Sequence, residues 1–96
     1  MSVYAVATIT IHDRERYAQY EEGFLEIFAR YQGEIAAVSD DAEMLEGEKD
    51  FTRLVLARFP DRAALMAWYE SPEYQELAQH RFASSDAQIA VIPGFS

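Results

Sequence analysis

An α+β sandwich is predicted by three observations. Strand and helix patterns follow in the order strand–helix–strand–strand–helix–strand, the helices are amphipathic, and the strands are apolar on both faces. Ninety-six residues suit one domain over 1–96 with a thin core, because so short a chain buries only about 60–65% of its unfolded surface.

Val3–Ile11 reads as the first strand, with Val3, Ala5, Ala7, Ile9 and Ile11 on one side. Tyr4, Val6, Thr8 and Thr10 point to the other. Asp13 is a natural N-cap for a long helix. Tyr17, Tyr20, Phe24, Ile27, Phe28 and Tyr31 then recur at three- and four-residue spacing as one apolar stripe. Gly33 is placed to stop that helix. Glu34–Ser39 alternates weakly before the turn signal Asp40-Asp41, and residues 44–46 are expected to continue the same bent strand as far as Gly47. Residues 51–59 form a stronger strand, with Phe51, Val55, Ala57 and Phe59 on one face and Leu54 and Leu56 on the other. Pro60 closes it, and Asp61 caps a helix over Arg62–Glu70. Ser71-Pro72-Glu73 restarts a helix, with Ser at the N-cap, Pro at the first helical position and an acid in the first turn. Tyr74, Leu77, Ala78, Arg81 and Phe82 form its inward face. Residues 87–92 make the last strand, ended by Pro93-Gly94.

This is the split βαβ order of a ferredoxin-like sandwich, a four-stranded antiparallel sheet with helices on one face. Tyr4, Val6, Leu54 and Leu56 therefore face away from the helices and need another cover. A second copy packed sheet to sheet about a two-fold axis supplies it, so a homodimer is expected. Burial of apolar area contributes roughly 25 cal/mol per Å², enough for a few hundred square ångströms to matter in a marginal domain.

Composition narrows the function. The chain is 50% hydrophobic, with one Trp, six Tyr and six Phe, which excludes a disordered polar tail. Eight Lys and Arg against seventeen Asp and Glu give a net charge of −9, which argues against nucleic acid or an anionic membrane as partner. The absence of cysteine excludes disulfides, Cys–zinc sites and thiol catalysis. Apolar runs fall well short of the roughly 20 residues that span a bilayer. The opening Met-Ser-Val-Tyr-Ala-Val lacks a basic segment, so no signal peptide and a cytoplasmic location are expected.

Several stretches carry a resemblance to a known family: the Tyr4 strand, the Tyr17 and Tyr20 helix start, the Gly33 break, Glu46-Gly47 and the Phe59-Pro60-Asp61 corner. The run Ala67-Trp68-Tyr69-Glu70-Ser71-Pro72-Glu73-Tyr74, followed by Arg81, is the most specific part. Together they resemble the family catalogued as domain of unknown function 1330, within the dimeric α+β barrel superfamily. A second glycine beside Gly33 is common in that family, whereas in this chain the neighbours are Gln32 and Glu34. The resemblance implies a ferredoxin-like protomer and a sheet-to-sheet dimer. The superfamily includes small-molecule monooxygenases, haem-degrading enzymes, lactone isomerases and stress-response proteins, and fold alone does not choose among them.

Candidate chemistry centres on the last helix. His80 follows Glu76 by four residues, so the two share a helical face; a carboxylate-oriented imidazole suits a general base or haem ligand, and equally a surface pair. Arg81 shares the face of Tyr74 and Leu77, and an arginine held between helix and sheet needs a carboxylate partner or an anionic ligand. Glu46 is the expected internal partner; the alternative is a clamp for a substrate carboxylate. Trp68, Tyr69 and Tyr74 cluster at the Ser71-Pro72 break and serve either as core or as walls of an aromatic pocket. His12 reads as a solvated turn residue. The acidic stretch 34–50 lacks the spacing of a calcium loop, and no metal site is expected. No serine triad, phosphate-binding glycine loop or dinucleotide fingerprint is present, so no cofactor is named. Two functions remain. One is a homodimer binding a small apolar or carboxylate-bearing molecule, as a cofactor-independent oxidoreductase or isomerase; the other is a non-enzymatic structural or stress-response module.

Overall fold

The computed structural model describes residues 2–95. The elements follow as β1 (Val3–Ile11), α1 (Arg14–Arg30), β2 (Glu34–Ser39), β3 (Arg53–Phe59), α2 (Arg62–Glu70), α3 (Pro72–Ser84) and β4 (Ser85–Pro93). The strands form one antiparallel sheet in the order β2-β3-β1-β4, which is the ferredoxin-like arrangement. All three expected caps are in place. The side chains of Asp13, Asp61 and Ser71 accept from the backbone N–H of Arg16, Ala64 and Tyr74.

Strand periodicity sorts the sheet into two unlike faces. Ala5, Ala7, Ile9 and Ile11 of β1 and Ala57 and Phe59 of β3 are buried beneath the helices. Above them lies an aromatic layer in which Phe28 meets Phe59 and Trp68 edge to face, and Trp68 packs on Tyr74 with centroids 4.4 Å apart. The pairs Ala5↔Ala57 and Ala7↔Val55 put small side chains at the middle of the inner face. On the other face stand Tyr4, Val6, Thr8, Leu54 and Leu56, which are half-buried, and Ile92, which is 47% exposed. No helix of the described residues covers them. Arg58 lies on this face and pairs with Glu34 across the β2–β3 ladder, as its parity opposite to Arg53 requires.

Four expectations are corrected. Residues 44–46 are not a strand: they enter no ladder of the sheet, and Leu45 is 88% exposed. β3 starts at Arg53 rather than at Phe51, since its ladder with β1 begins at Ile9↔Arg53. Phe82 is not an inward residue of α3 but is 47% exposed, because the helix turns Tyr74, Ala78 and Arg81 inward. The helix stop also works differently. The left-handed residue is Gln32, at φ 66°, whereas Gly33 is needed for close approach, as a Cβ there would lie 2.5 Å from Phe28 Cε2.

A test follows from that turn. Gln32→Gly should raise unfolding free energy by about 0.5 kcal/mol by relieving the left-handed backbone. Gly33→Ala should lower it by about 1 kcal/mol or more, since the Phe28 ring must shift within a packed layer. Urea titrations of the two variants that moved in the same direction would contradict this account.

Candidate functional site

The small inner-face alanines have a consequence for volume. Ala5, Ala7 and Ala57 do not reach the aromatic stripe of α1, and a cavity of about 290 Å³ remains between helix and sheet. Its floor also includes Ile9, Ile35, Val38, Val55 and Ile89, and its roof includes Tyr17, Tyr20, Phe24 and Phe28. Trp68 from α2 and Tyr74 and Arg81 from α3 complete the lining. That size lies at the lower end of small-molecule sites, about 300–1,000 Å³, and fits a guest of one or two rings.

Polar atoms gather on the α3 side. The Tyr20 and Tyr74 hydroxyls lie 2.8 Å apart, in a buried hydrogen bond between residues 54 positions apart in sequence. Arg81 is only 5% exposed; its guanidinium carbon lies 5.8 Å from the Tyr20 ring centroid and 4.9 Å from that of Phe82. Arg81 Nε and Trp68 Nε1 are both fully buried, and neither has a hydrogen-bond partner. Buried donors are almost always satisfied in folded proteins, and these two orphans both belong to residues that line the cavity.

An ion-pair cluster also borders the cavity. Arg53 donates to both carboxylate oxygens of Asp40, at 2.6 and 3.1 Å, and to Glu21 Oε2 at 2.7 Å, while its guanidinium covers the Tyr17 ring at 5.4 Å. Glu21 and Arg53 line the cavity. The Arg53 guanidinium holds the Asp40 carboxyl below the usual carboxylate range, chiefly through those hydrogen bonds. Asp40 roots the acidic loop between β2 and β3, where Lys49 Nζ donates to its carbonyl at 3.1 Å.

Burial sets the tyrosines apart as well. It pushes the Tyr20 hydroxyl well above its ordinary range, reinforced by Tyr74, and it raises Tyr17 more modestly against the pull of Arg53. An acid whose folded value is raised stabilises the fold below its unfolded value, near pH 10, and loses that stability as pH rises further. The wild type should therefore lose melting temperature more steeply above about pH 10 than Tyr20→Phe does. Parallel melting curves from pH 8 to 11 would show that Tyr20 ionises freely in the folded state.

The structure gathers some of the sequence-predicted residues and separates others. Trp68, Tyr74 and Arg81 line the cavity together. Tyr69 instead lines an open cleft beside α3 and β4, which shares Arg81 and Ile89 with the cavity. His80 lines neither: its Nδ1 accepts from Arg16 Nε at 2.8 Å, which leaves Glu76 out and makes the imidazole part of the α1–α3 contact. Glu46 is exposed in the loop and makes no bond to Arg81, because the stretch that holds it never joins the sheet. Tyr20 is a site residue that sequence reasoning missed. The signal for it was a mismatch of volume, an aromatic stripe facing a strand of alternating alanines. No group of three or more His, Asp or Glu among the described residues is placed to hold a metal ion. No helix of the described residues is long and apolar enough to cross a membrane.

A sheet of order β2-β3-β1-β4 with helices on one face and a hollow between the layers defines a ferredoxin-like protein with room for a small guest. The chain belongs to the family described as Domain of unknown function (DUF1330), whose profile matches residues 2–95. No curated protein matches it. Among solved structures it is similar to a protein of unknown function from Rhodopseudomonas palustris, with a TM-score of 0.84 and 20% identity over 99% of this chain and 83% of that one. A variant of SnoaB, a cofactor-independent oxygenase from Streptomyces nogalater, superposes with a TM-score of 0.71 and 18% identity, covering 99% and 94%. A dimeric ferredoxin-like protein of unknown function from Jannaschia sp. CCS1 gives 0.73 and 14%, covering 98% and 100%. At these identities the likeness is one of fold.

Proposed function

We propose that this protein is a homodimer that binds a small, flat, apolar or carboxylate-bearing molecule in the cavity between its helices and sheet, and acts there as a cofactor-independent oxidoreductase or isomerase. The observation that carries the reading is the pair of unpartnered buried donors, Arg81 Nε and Trp68 Nε1, on two residues that line a mainly apolar hollow of about 290 Å³. Arg81 is the clamp for the guest's anionic group. Trp68, Tyr20, Tyr74 and Phe24 are the walls that take its ring. His80 lies outside this lining, with its Nδ1 accepting from Arg16 Nε in the contact between α1 and α3, and is not needed for binding the guest. Dimerisation is supported by the uncovered apolar face of β1 and β3 and by the dimeric state named for the Jannaschia protein.

Benzoate and 2-naphthoate provide the test. A ligand at 100 times its Kd adds about 2.7 kcal/mol of stability, so saturating aromatic acid should raise the melting temperature by several degrees. The neutral amides of the same acids should raise it less. No shift with either acid, or an equal shift in Arg81→Met, would remove the reading.

A further inference from the structure

The donors at the α3 end of the cavity can be counted against its acceptors. Two hydroxyls carry two protons, and only one proton can lie between Tyr20 Oη and Tyr74 Oη. Whichever hydroxyl donates, the proton of the other has no acceptor among the described residues. Arg81 Nε–H and Trp68 Nε1–H are in the same position. The Arg81 guanidinium carbon lies 5.8 Å from the Tyr20 ring centroid and Trp68 packs on Tyr74, so the side chains that carry these three unreceived protons adjoin one another in the lining of one cavity.

We propose that Arg81, Trp68 and the Tyr20–Tyr74 pair form an oxyanion pocket that binds aromatic hydroxyl compounds in their ionised form, as phenolates. The proposal rests on the reading of this cavity as a ligand site and deepens it. A neutral phenol brings a fourth proton to a place where three already lack acceptors. A phenolate brings only lone pairs, and the arginine supplies its counter-charge. On binding, the O–H bond of the guest breaks, its electron pair stays on oxygen, and the proton leaves to solvent.

The remaining charges do not cancel this preference. From α1 the cavity meets Glu21 with Tyr17 and Tyr20, from β3 Arg53, and from α3 Arg81 with Tyr74. Strands β1, β2 and β4 and helix α2 add no charged side chain to the lining. Arg53 is shared by Glu21 and Asp40, and Arg14 stands 3.9 Å from Asp40, so the two cations and two carboxylates of that cluster sum to zero. Asp86 of β4 shares the neighbouring cleft with Arg81 but makes no ion pair with it, so Arg81 is left as the charge without a carboxylate partner among the described residues, in surroundings that screen it poorly. The net charge of the whole chain, −9, acts the other way and would raise the pKa of any acid bound loosely at the surface. A downward shift must therefore come from the local cation.

The probe is 4-nitrophenol, whose phenolate is yellow, with 4-nitroanisole as a neutral comparator. Occupancy is followed by calorimetry at each pH, and ionisation by absorbance at saturating protein. The expected result is a fall of at least one unit in the apparent pKa of the bound probe. Phenolate then binds at least tenfold more tightly than phenol, or about 1.4 kcal/mol. The shift should vanish in Arg81→Met and in Arg81→Gln, both checked for folding by circular dichroism. A probe that binds with its pKa unchanged or raised overturns this proposal and leaves the ligand site standing, as does 4-nitroanisole binding more tightly than the phenolate. Failure of both probes to bind at any pH removes the proposal and the ligand site together. A shift that survives in both Arg81 variants places the counter-charge elsewhere and overturns the oxyanion role of Arg81.

Discussion

Arg81→Met should melt at a higher temperature than the wild type and bind no aromatic acid. Arg81 is 5% exposed, and its Nε has no partner, so folding strips water from a permanent cation without replacing all its hydrogen bonds. Methionine fills similar space with no charge to desolvate. Replacing buried ionic groups by apolar ones of like volume is often stabilising, and a gain of about 1 kcal/mol or more is expected for this variant. In a domain of this size that corresponds to about 4–8 °C. Such a gain, with binding lost, is the mark of a residue kept for function at the expense of the fold. A lower melting temperature would show instead that the contacts of Arg81 with the Tyr20 and Phe82 rings outweigh its desolvation, and that the side chain is structural.

The second large effect is expected on the opposite face of the sheet. Leu56 stands at the middle of the uncovered face, paired across the ladder with Val6 and flanked by Leu54 and Tyr4. In the proposed homodimer a two-fold axis brings each such substitution in twice. Leu56→Asp would bury two carboxylates without partners, at a cost of several kcal/mol. Sedimentation at micromolar concentration should give the mass of one subunit for the variant and two for the wild type. An unchanged mass in the variant would place any partner surface elsewhere. A wild type that sediments as one subunit would leave the apolar face bare and remove the dimer.

Much of the fold was legible because its signals are local. A carboxylate or hydroxyl before an apolar periodic run fixes a helix start, as Asp13, Asp61 and Ser71 do. Alternation through Val3–Ile11 fixes both faces of β1. Signals that depend on partners distant in sequence were not legible. His80 points to Glu76, four residues away, yet its partner is Arg16, 64 residues away on another helix. Tyr74 reads as a wall, but its hydroxyl partner Tyr20 requires α1 to cross α3. Glu46 suits Arg81 only while residues 44–46 are read as part of the sheet. The weak β2 pattern also has a cause: a bulge between Ile35 and Ala37 inserts Ala36, so Ile35 and Val38 face the same side although three positions apart. The cavity itself follows from side chains that are small rather than from any motif. Ala5, Ala7 and Ala57 are ordinary strand residues until an aromatic stripe is set above them.

One feature of the wall gives the protein an optical gauge of its own interior. The chain has a single tryptophan, and Trp68 lines the hollow with a buried indole N–H that has no hydrogen-bond partner. Its fluorescence therefore reports on one place alone: blue emission for a dry or filled chamber, a red shift where water reaches the ring, and quenching when a nitro-aromatic guest stacks beside it. Occupancy can be followed without any label, in the same cuvette and on the unmodified chain.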